Sequence, residues 1–402
     1  MALKKFFDDM SPNFEKGGKY EKYYAIFEMV ETFCYTPKTV TTVAPHARDY
    51  VDTKRIMTYV VLSTFPALLF GLYNTGLQTN LALDSLNMSG VGGFRGWLLS
   101  LIGYDYQVSS YLGNMLLGLT YWLPIYITTL LIGGMAEVVF AVVRGHEVTE
   151  GFLVTSMLFS LTMPATIPLW QVALGISFGV ILGKEVFGGQ GKNFMNPALV
   201  GRSFLYFAYP VQISGDSVWV GVDGFSGATA LNLGARGGVE MIEKAGITLQ
   251  DSFIGTIPGS MGESSTLAIL IGLAFLLFTR IANYRMVLGC VIGMIATVTL
   301  LNAIGSETNP MFNLPWYWHF VIGGYAFGLV FMVTEPISGS WTNKGRWIYG
   351  LLIGFMVVLI RVVNPAFPEG MMLAILFGNI FAPLIDYFVV QQNYKRRIKR
   401  DV

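Results

Sequence analysis

The chain has 402 residues, of which 53% are hydrophobic and only 13% are charged, and its mean hydropathy is +0.55. This composition excludes a soluble domain of this size, because several apolar runs are long enough to cross a bilayer. The runs are continuous rather than alternating, which favours helices over a closed β-barrel. The net charge is +1 and the basic residues are dispersed among loops, so we expect no nucleic-acid partner. The predicted fold class is an all-α polytopic membrane protein.

The cysteines and histidines predict neither a disulfide framework nor a metal site. Cys34 and Cys290 are too few for a framework, and there is no Cys-x-x-Cys pair. His46, His146 and His319 show no metal-ligand spacing. We therefore expect no metal and no thiolate-bound cluster on this chain alone.

The first 55 residues are polar and lack an apolar core of signal-peptide length, so we expect them to be retained. Phe27, Val30 and Phe33 recur at helical spacing and predict a short amphipathic helix that Pro37 ends. This helix could lie on the membrane surface or on a partner subunit, or it could act as a lid over a cytoplasmic site.

The apolar segments that follow predict about ten transmembrane helices. Pro164 and Pro168 interrupt the third and fourth segments, which are too short for straight spans. We expect these two helices to be broken, short or strongly tilted. The segments cover residues 56–76, 118–143, 151–165, 168–184, 198–212, 264–282, 285–304, 314–333, 346–363 and 370–390.

The basic residues predict the orientation of these segments. With the N-terminus in the cytoplasm and ten spans, 22 of the 26 lysines and arginines lie on the cytoplasmic side. The others are Arg95, Arg236, Lys244 and Arg361. Both termini are then cytoplasmic, and the polar loop 213–262 is periplasmic.

Five plus five spans with both termini on one side predict two inverted five-helix repeats, because an odd-numbered unit repeats upside down. The stretches NPAL (196–199) and NPAF (364–367) lie between the fourth and fifth helices of the two halves. Inverted repeats are common in secondary transporters, so the fold alone favours a transporter or channel. The predicted organisation is a cytoplasmic region 1–55, a first repeat 56–212, a periplasmic loop 213–262, a second repeat 263–390 and a basic cytoplasmic tail 391–402.

The periplasmic loop contains the heptapeptide DGFSGAT, in which a threonine follows small residues. No bulky side chain stands next to the Thr229 hydroxyl, so a modifying enzyme could approach it. The hydroxyl can accept a phosphoryl group, and Asp223 could position it or a metal ion during the transfer. The alternative is an ordinary glycine-rich turn followed by a helix cap. The other motif residues are Gly224, Ser226, Gly227 and Ala228.

The heptapeptide resembles the flavin-attachment motif of the RnfD/NqrB-type membrane subunits, Asp-Gly-x-Ser/Thr-Gly-Ala-Thr. Segments 184–210 and 364–386 also resemble this family, and the similarity runs over essentially the whole chain. The resemblance implies that Thr229 carries covalent FMN as a phosphodiester. The long N-terminal region is similar to the branch found in sodium-translocating NADH:quinone oxidoreductases. The RnfD-type component of Rnf-type ferredoxin:NAD oxidoreductases lacks so long a region and is the alternative.

The resemblance implies a subunit of a bacterial inner-membrane enzyme that passes electrons to ubiquinone and exports Na⁺. It further implies a complex of six subunits, a periplasmic flavin transferase, and noncovalent riboflavin. The chain has no GxGxxG after a strand and no iron–sulfur pattern, so NADH is expected to bind elsewhere. For riboflavin we expect a pocket where broken helices meet, near 164–168 and the NPA connections. A transporter needs no covalent flavin, so the heptapeptide distinguishes a redox function from a transporter function.

The stretch LIGGMAEVVF suggests a quinone site. Gly133 and Gly134 could leave a groove for a flat ring, and Glu137 follows one turn later as a carboxylate at membrane depth. Phe27 and Phe33 of the N-terminal region could close the same pocket. The alternative is close helix packing through small residues.

Four acidic residues are candidates for an ion path, because each lies near a cytoplasmic helix end in this topology. They could equally be interfacial acids that face water or a neighbouring lysine. The candidates are Glu137, Glu185, Glu335 and Asp386.

Overall fold

The computed structural model describes residues 2–15, 17–24, 27, 31, 44, 53–145, 151–364 and 369–399. Within these residues the secondary structure is helical, with no β-strand. Each of the ten predicted apolar segments coincides with a helix or a pair of helices. Six helices in the described part of the chain are long and apolar enough to cross a membrane. The prediction of an all-α polytopic membrane protein is confirmed.

The helices that build the fold are numbered here in chain order. The first half contains α1 Ala2–Phe14, α2 Thr53–Ser85, α3 Gly93–Leu101, α4 Tyr111–Arg144, α5 Gly151–Leu161, α6 Leu169–Gly183 and α7 Pro197–Ala208. The loop between the halves contains α8 Ala230–Lys244 and α9 Leu249–Ile254. The second half contains α10 Thr266–Phe278, α11 Tyr284–Ile304, α12 Trp316–Val321, α13 Tyr325–Phe327 with a π-helical continuation Gly328–Met332, α14 Asn343–Val363 and α15 Gly370–Ile398.

Two membrane segments are interrupted. Helices α5 and α6 have 11 and 15 residues, which is about 17 and 22 Å at the α-helical rise. Both are shorter than the hydrocarbon core of about 30 Å, so the predicted break near 164–168 is confirmed. The break between α12 and α13 was not predicted. There Gly323 and Gly324 have φ values of +68° and +67°, a conformation that glycine adopts without strain.

Corresponding helices of the two halves pack in the same order. Helix α4 packs on α6 and α6 on α7, as α11 packs on α14 and α14 on α15. This order is what a five-helix repeat requires, and the inversion of one half stays a prediction. The contact between α11 and α14 is close, because a Cβ on Gly354 would overlap the carbonyl oxygen of Cys290. Small residues allow such backbone contact in membrane helices.

Replacing Gly354 with alanine is therefore expected to destabilise the protein by about 1–3 kcal/mol, since the added methyl overlaps that carbonyl. Gly92→Ala is the matched control, because nothing lies within 4 Å of a Cβ there and its φ of −77° suits alanine. The measurement is the thermal unfolding temperature of the detergent-solubilised protein. Equal unfolding temperatures for the two variants would contradict the close contact.

The described part of the N-terminal region forms an aromatic cluster. The ring of Phe27 stacks on that of Phe14 in α1, with centroids 4.6 Å apart, and meets Phe7 edge-on at 5.9 Å. Phe27 is buried by these contacts to α1 rather than by contacts to α4, so its predicted role in closing a quinone pocket finds no support in this geometry. Val30, Phe33 and Pro37 lie outside the described residues.

Candidate functional site

The heptapeptide lies in the loop that leads into α8. Gly224 has φ +83°, which turns the chain after the preceding segment. Asp216 anchors the loop: its carbonyl oxygen accepts a hydrogen bond from Gly227 N at 2.8 Å. Its carboxylate accepts from the Asn232 side chain at 2.5 Å and pairs with Arg236 at 3.0 Å. The threonine at the end of the motif is therefore held at a defined place at the start of α8.

Thr229 is the N-cap residue of α8. Its Oγ1 accepts a hydrogen bond from Asn232 N at 3.3 Å, so the helix-cap alternative describes the local structure correctly. The side chain is half-buried, whereas Asp223 and Ser226 are exposed. Among the hydroxyls of the motif, that of Thr229 is the one from which an attached group could extend into the protein.

A cavity of about 730 Å³ lies beside Thr229. Its walls come from α7, the loop before α10, the break between α12 and α13, and the start of α15. The volume is in the range typical of small-molecule sites, about 300–1,000 Å³. The polar side chains on the wall are Arg202, Thr229, Ser260, Ser264, Glu263 and Glu369.

Arg202 connects two carboxylates on this wall and is only 5% exposed. Its Nη1 donates to Glu263 at 2.7 Å, and its Nη2 donates to Glu369 at 3.2 Å. Ser260 Oγ donates a further hydrogen bond to Glu263 at 2.6 Å. The Nε of Arg202 is buried and has no acceptor within hydrogen-bonding distance among the described residues. The network joins α7 to the loop before α10 and to the start of α15.

Arg361 stabilises the helix break that forms another wall of the cavity. It is fully buried in α14 and donates to the carbonyl oxygens of His319, Ile322 and Gly323 at 2.8, 3.0 and 2.6 Å. A break between helices leaves such carbonyls without intrahelical donors. A guanidinium with several donors in one plane can satisfy all three.

A second cavity, of about 540 Å³, lies between α5, the connection 190–197 and the turn after the π-helical segment. Asn196 accepts from Ala198 N at 3.0 Å and so caps α7. Asn193 Oδ1 is buried without a hydrogen-bond partner in the described part of the chain. The lining is rich in neutral polar groups, which suit an uncharged polar ring. The polar lining residues are Thr155, Gln190, Asn193, Asn196, Thr334 and Glu335.

Glu137 forms an ion pair with Lys184 between α4 and the end of α6. Their side chains are 4% and 1% exposed. The neighbouring Glu185 is held by Arg144, which donates to its carbonyl oxygen at 2.5 Å and lies 3.8 Å from its carboxylate. The charge of Lys184 also acts on Glu335, so this lysine lies near carboxylates from both halves.

Two residues that were counted as cytoplasmic basic residues are buried between helices. Lys184 is 1% exposed and Arg202 is 5% exposed. Arg202 shares its cavity with Thr229, which belongs to the loop predicted to be periplasmic. Neither contributes loop charge, so the predicted orientation depends on the other basic residues.

The glycines before Glu137 pack closely and leave no open groove. A Cβ on Gly133 would lie 2.5 Å from the Phe152 ring and 2.8 Å from Ile176. On Gly134 it would lie 3.6 Å from the same ring. The ring of Phe152 therefore occupies the space expected for a flat ligand, and the expectation of a groove is wrong here. The quinone role of this region stays a prediction.

Asp386 anchors the turn before α14. Its carboxylate accepts hydrogen bonds from Ser340 Oγ at 2.7 Å, Trp341 N at 2.6 Å, and Thr342 N and Oγ1 at 3.0 and 2.6 Å. Four donors occupy most of the lone pairs that could bind an ion. The geometry favours a structural role, and the ion-path role stays a prediction.

Sequence reasoning missed the charged residues around the first cavity. Arg202, Arg361 and Glu369 lie in or at the end of apolar segments, and Glu263 lies immediately before one. Charges at such positions are rare unless they are paired or functional. This signal was present in the sequence, but counting the two arginines as loop charges concealed it.

Residues 40–395 of the chain match the NQR2, RnfD, RnfE family. Relatives from Ectopseudomonas mendocina and Stutzerimonas stutzeri, both named as one and the same component of Na(+)-translocating NADH-quinone reductase, are 59% and 58% identical over 100% of both chains. A relative of the same name from Chromohalobacter salexigens is 58% identical over 100% of this chain and 97% of its own. This full-length similarity does not favour the Rnf alternative. The chain belongs to the NQR2, RnfD, RnfE family, and its relatives are membrane components of Na⁺-translocating NADH-quinone reductases.

Proposed function

We propose that this chain is the flavin-carrying membrane subunit of a sodium-pumping NADH:ubiquinone oxidoreductase, with FMN attached to Thr229 as a phosphodiester. The observation that carries the proposal is the position of Thr229. It ends the motif DGFSGAT and is half-buried on the wall of a cavity of about 730 Å³. The names of the full-length relatives support the reaction and the transported ion.

The residues around Thr229 fit a tethered flavin phosphate. A phosphate on its Oγ1 would lie at the N-terminus of α8, where backbone N–H groups favour an anion. Arg236, in the first half of that helix, adds a positive charge in the same region. The cavity offers buried charged groups and apolar walls for the ring system. When bound, FMN supplies the one-electron chemistry, and the protein supplies binding and electrostatics.

For the noncovalent riboflavin we propose the second cavity. Its amide and hydroxyl groups match a neutral polar ring, and the unpaired Asn193 Oδ1 offers an acceptor. Asn196 and Pro197 of the NPA connection line it, as expected, whereas residues 164–168 do not. The ring would lie near Glu335, which accepts a hydrogen bond from Ser338.

The remaining partners follow from the same proposal. NADH binds to a different chain of the complex, a periplasmic transferase attaches the FMN, and ubiquinone accepts electrons from the cytoplasmic side of an inner membrane. We keep Glu137 as the quinone-site candidate, because a buried ion pair at membrane depth can hold a proton acceptor near a ring. A quinone there requires the Phe152 ring to move away from Gly133.

The test is to express the full chain with an active flavin transferase and its partner subunits. The wild-type chain is expected to fluoresce as a flavin on a denaturing gel, and the peptide containing Thr229 is expected to be heavier by FMN less one water. Omission of the transferase serves as the control and should abolish both signals. A dark chain with an unmodified peptide beside an active transferase would reject the redox function, and solute transport would be tested next.

A further inference from the structure

The wall of the first cavity contains a buried donor that nothing in the described structure satisfies. Arg202 uses both terminal nitrogens on Glu263 and Glu369, yet its Nε is buried without an acceptor. Buried donors without partners are rare, and such a group often marks an unoccupied ligand contact. Because Arg202 lines the cavity beside Thr229, a ligand in the cavity could supply the acceptor.

The charges around this donor balance each other. Arg202 lies between Glu263 and Glu369, and the charge of Arg361 acts on both carboxylates. Two positive and two negative groups therefore leave the wall near neutrality. In a poorly solvated site, removal of any one of them leaves a net charge that is only weakly screened.

The helix break brings Glu263 into this position. A Cβ on Gly324 would lie 2.8 Å from the Glu263 carboxylate, so only glycine leaves it room. Ser260 fixes the same carboxylate with a hydrogen bond of 2.6 Å. Three segments that are far apart in the sequence thus place a guanidinium and its counter-charges on one cavity wall.

We propose that Arg202 binds the redox-active ring of the flavin tethered to Thr229 through its Nε–H, and that Arg202, Glu263 and Glu369 together set the reduction potential of that flavin. The inference rests on the proposed function and adds to it the residues that hold the ring. The ring carries carbonyl oxygens and ring nitrogens that accept hydrogen bonds. Reduction adds negative charge to the ring, so a positive neighbour favours the reduced form and a negative neighbour opposes it.

The substitutions Arg202→Met and Glu263→Gln are therefore expected to shift the potential in opposite directions. The first leaves a net negative wall and should lower the ratio of reduced to oxidised covalent flavin about tenfold at a fixed ambient potential. For a two-electron couple this is a shift of about 30 mV. The second leaves a net positive wall and should raise the ratio by a similar factor. Arg202→Lys keeps the charge and should change the ratio less than twofold.

Arg236→Met is the matched control, because it removes an arginine of the same loop region whose side chain is 52% exposed. Its charge is screened by water and salt, so the potential should not move. Each purified complex is first checked for flavin fluorescence of this chain on a denaturing gel. The covalent flavin is then titrated spectroelectrochemically, with a complex carrying Thr229→Ala subtracted to remove the signals of other flavins.

The outcomes separate the two levels of the proposal. Opposite shifts in Arg202→Met and Glu263→Gln, with no shift in Arg236→Met, support the assignment. Normal gel fluorescence with unchanged or same-direction shifts overturns it and leaves the proposed function standing. A dark wild-type chain removes both. If Arg202→Met does not assemble, Glu263→Gln decides by itself, because Arg202 then retains Glu369 as a partner.

Discussion

Replacing Thr229 with alanine is expected to remove the covalent flavin completely and to abolish electron transfer to quinone by the assembled complex. The variant loses the hydroxyl that forms the phosphodiester, and no other residue of the motif is half-buried on the cavity wall with a hydroxyl. The fold should persist, because the lost N-cap hydrogen bond to Asn232 is worth only about 1 kcal/mol. Gel fluorescence, NADH-dependent quinone reduction and the unfolding temperature are measured on the same preparations.

Thr248→Ala is the matched control for this experiment. Thr248 caps α9 in the same loop by accepting a hydrogen bond from Asp251 N at 3.1 Å, and it does not line the cavity. Its replacement should lower stability to a similar extent while flavin and activity are retained. Thr229→Ser keeps the hydroxyl and is expected to keep part of the flavin. Full flavin content in Thr229→Ala would show that attachment takes place at another residue.

Replacing Lys184 with methionine is expected to destabilise the chain by about 3–5 kcal/mol, because it leaves Glu137 buried without its partner. The two side chains are 1% and 4% exposed, so water cannot compensate for the lost charge. The double variant Glu137→Gln/Lys184→Met removes both charges and should recover most of the loss. The measurement is the unfolding temperature of the solubilised complex, compared as a double-mutant cycle.

Lys244→Met supplies the control for a lysine in an exposed pair. Lys244 and Glu240 lie 3.8 Å apart with side chains 79% and 86% exposed. Such a pair contributes less than about 1 kcal/mol, so the unfolding temperature should not change measurably. Additive effects of the two single substitutions at 137 and 184 would contradict the buried ion pair.

The sequence by itself determined the class of fold, the number of membrane segments and the threonine proposed to carry a flavin. Hydropathy is informative in lipid because a spanning backbone must satisfy its own hydrogen bonds, which leaves long apolar helices as the main solution. The break at Pro164 and Pro168 was predictable for the same local reason, since proline removes a helical hydrogen bond. The motif DGFSGAT was recognisable because its proposed function depends on a contiguous stretch of chain.

Only the tertiary structure decided which charged residues meet. Arg202, Glu263 and Glu369 are separated by many residues in the sequence, and no local periodicity relates them. The same holds for Glu137, whose partner Lys184 comes from another helix, and for Gly133, where the Phe152 ring occupies the expected groove. Local pattern reports which residues can lie in lipid, whereas the partner of a buried charge depends on how distant helices pack. That packing places Thr229 and Arg202 on the walls of one cavity.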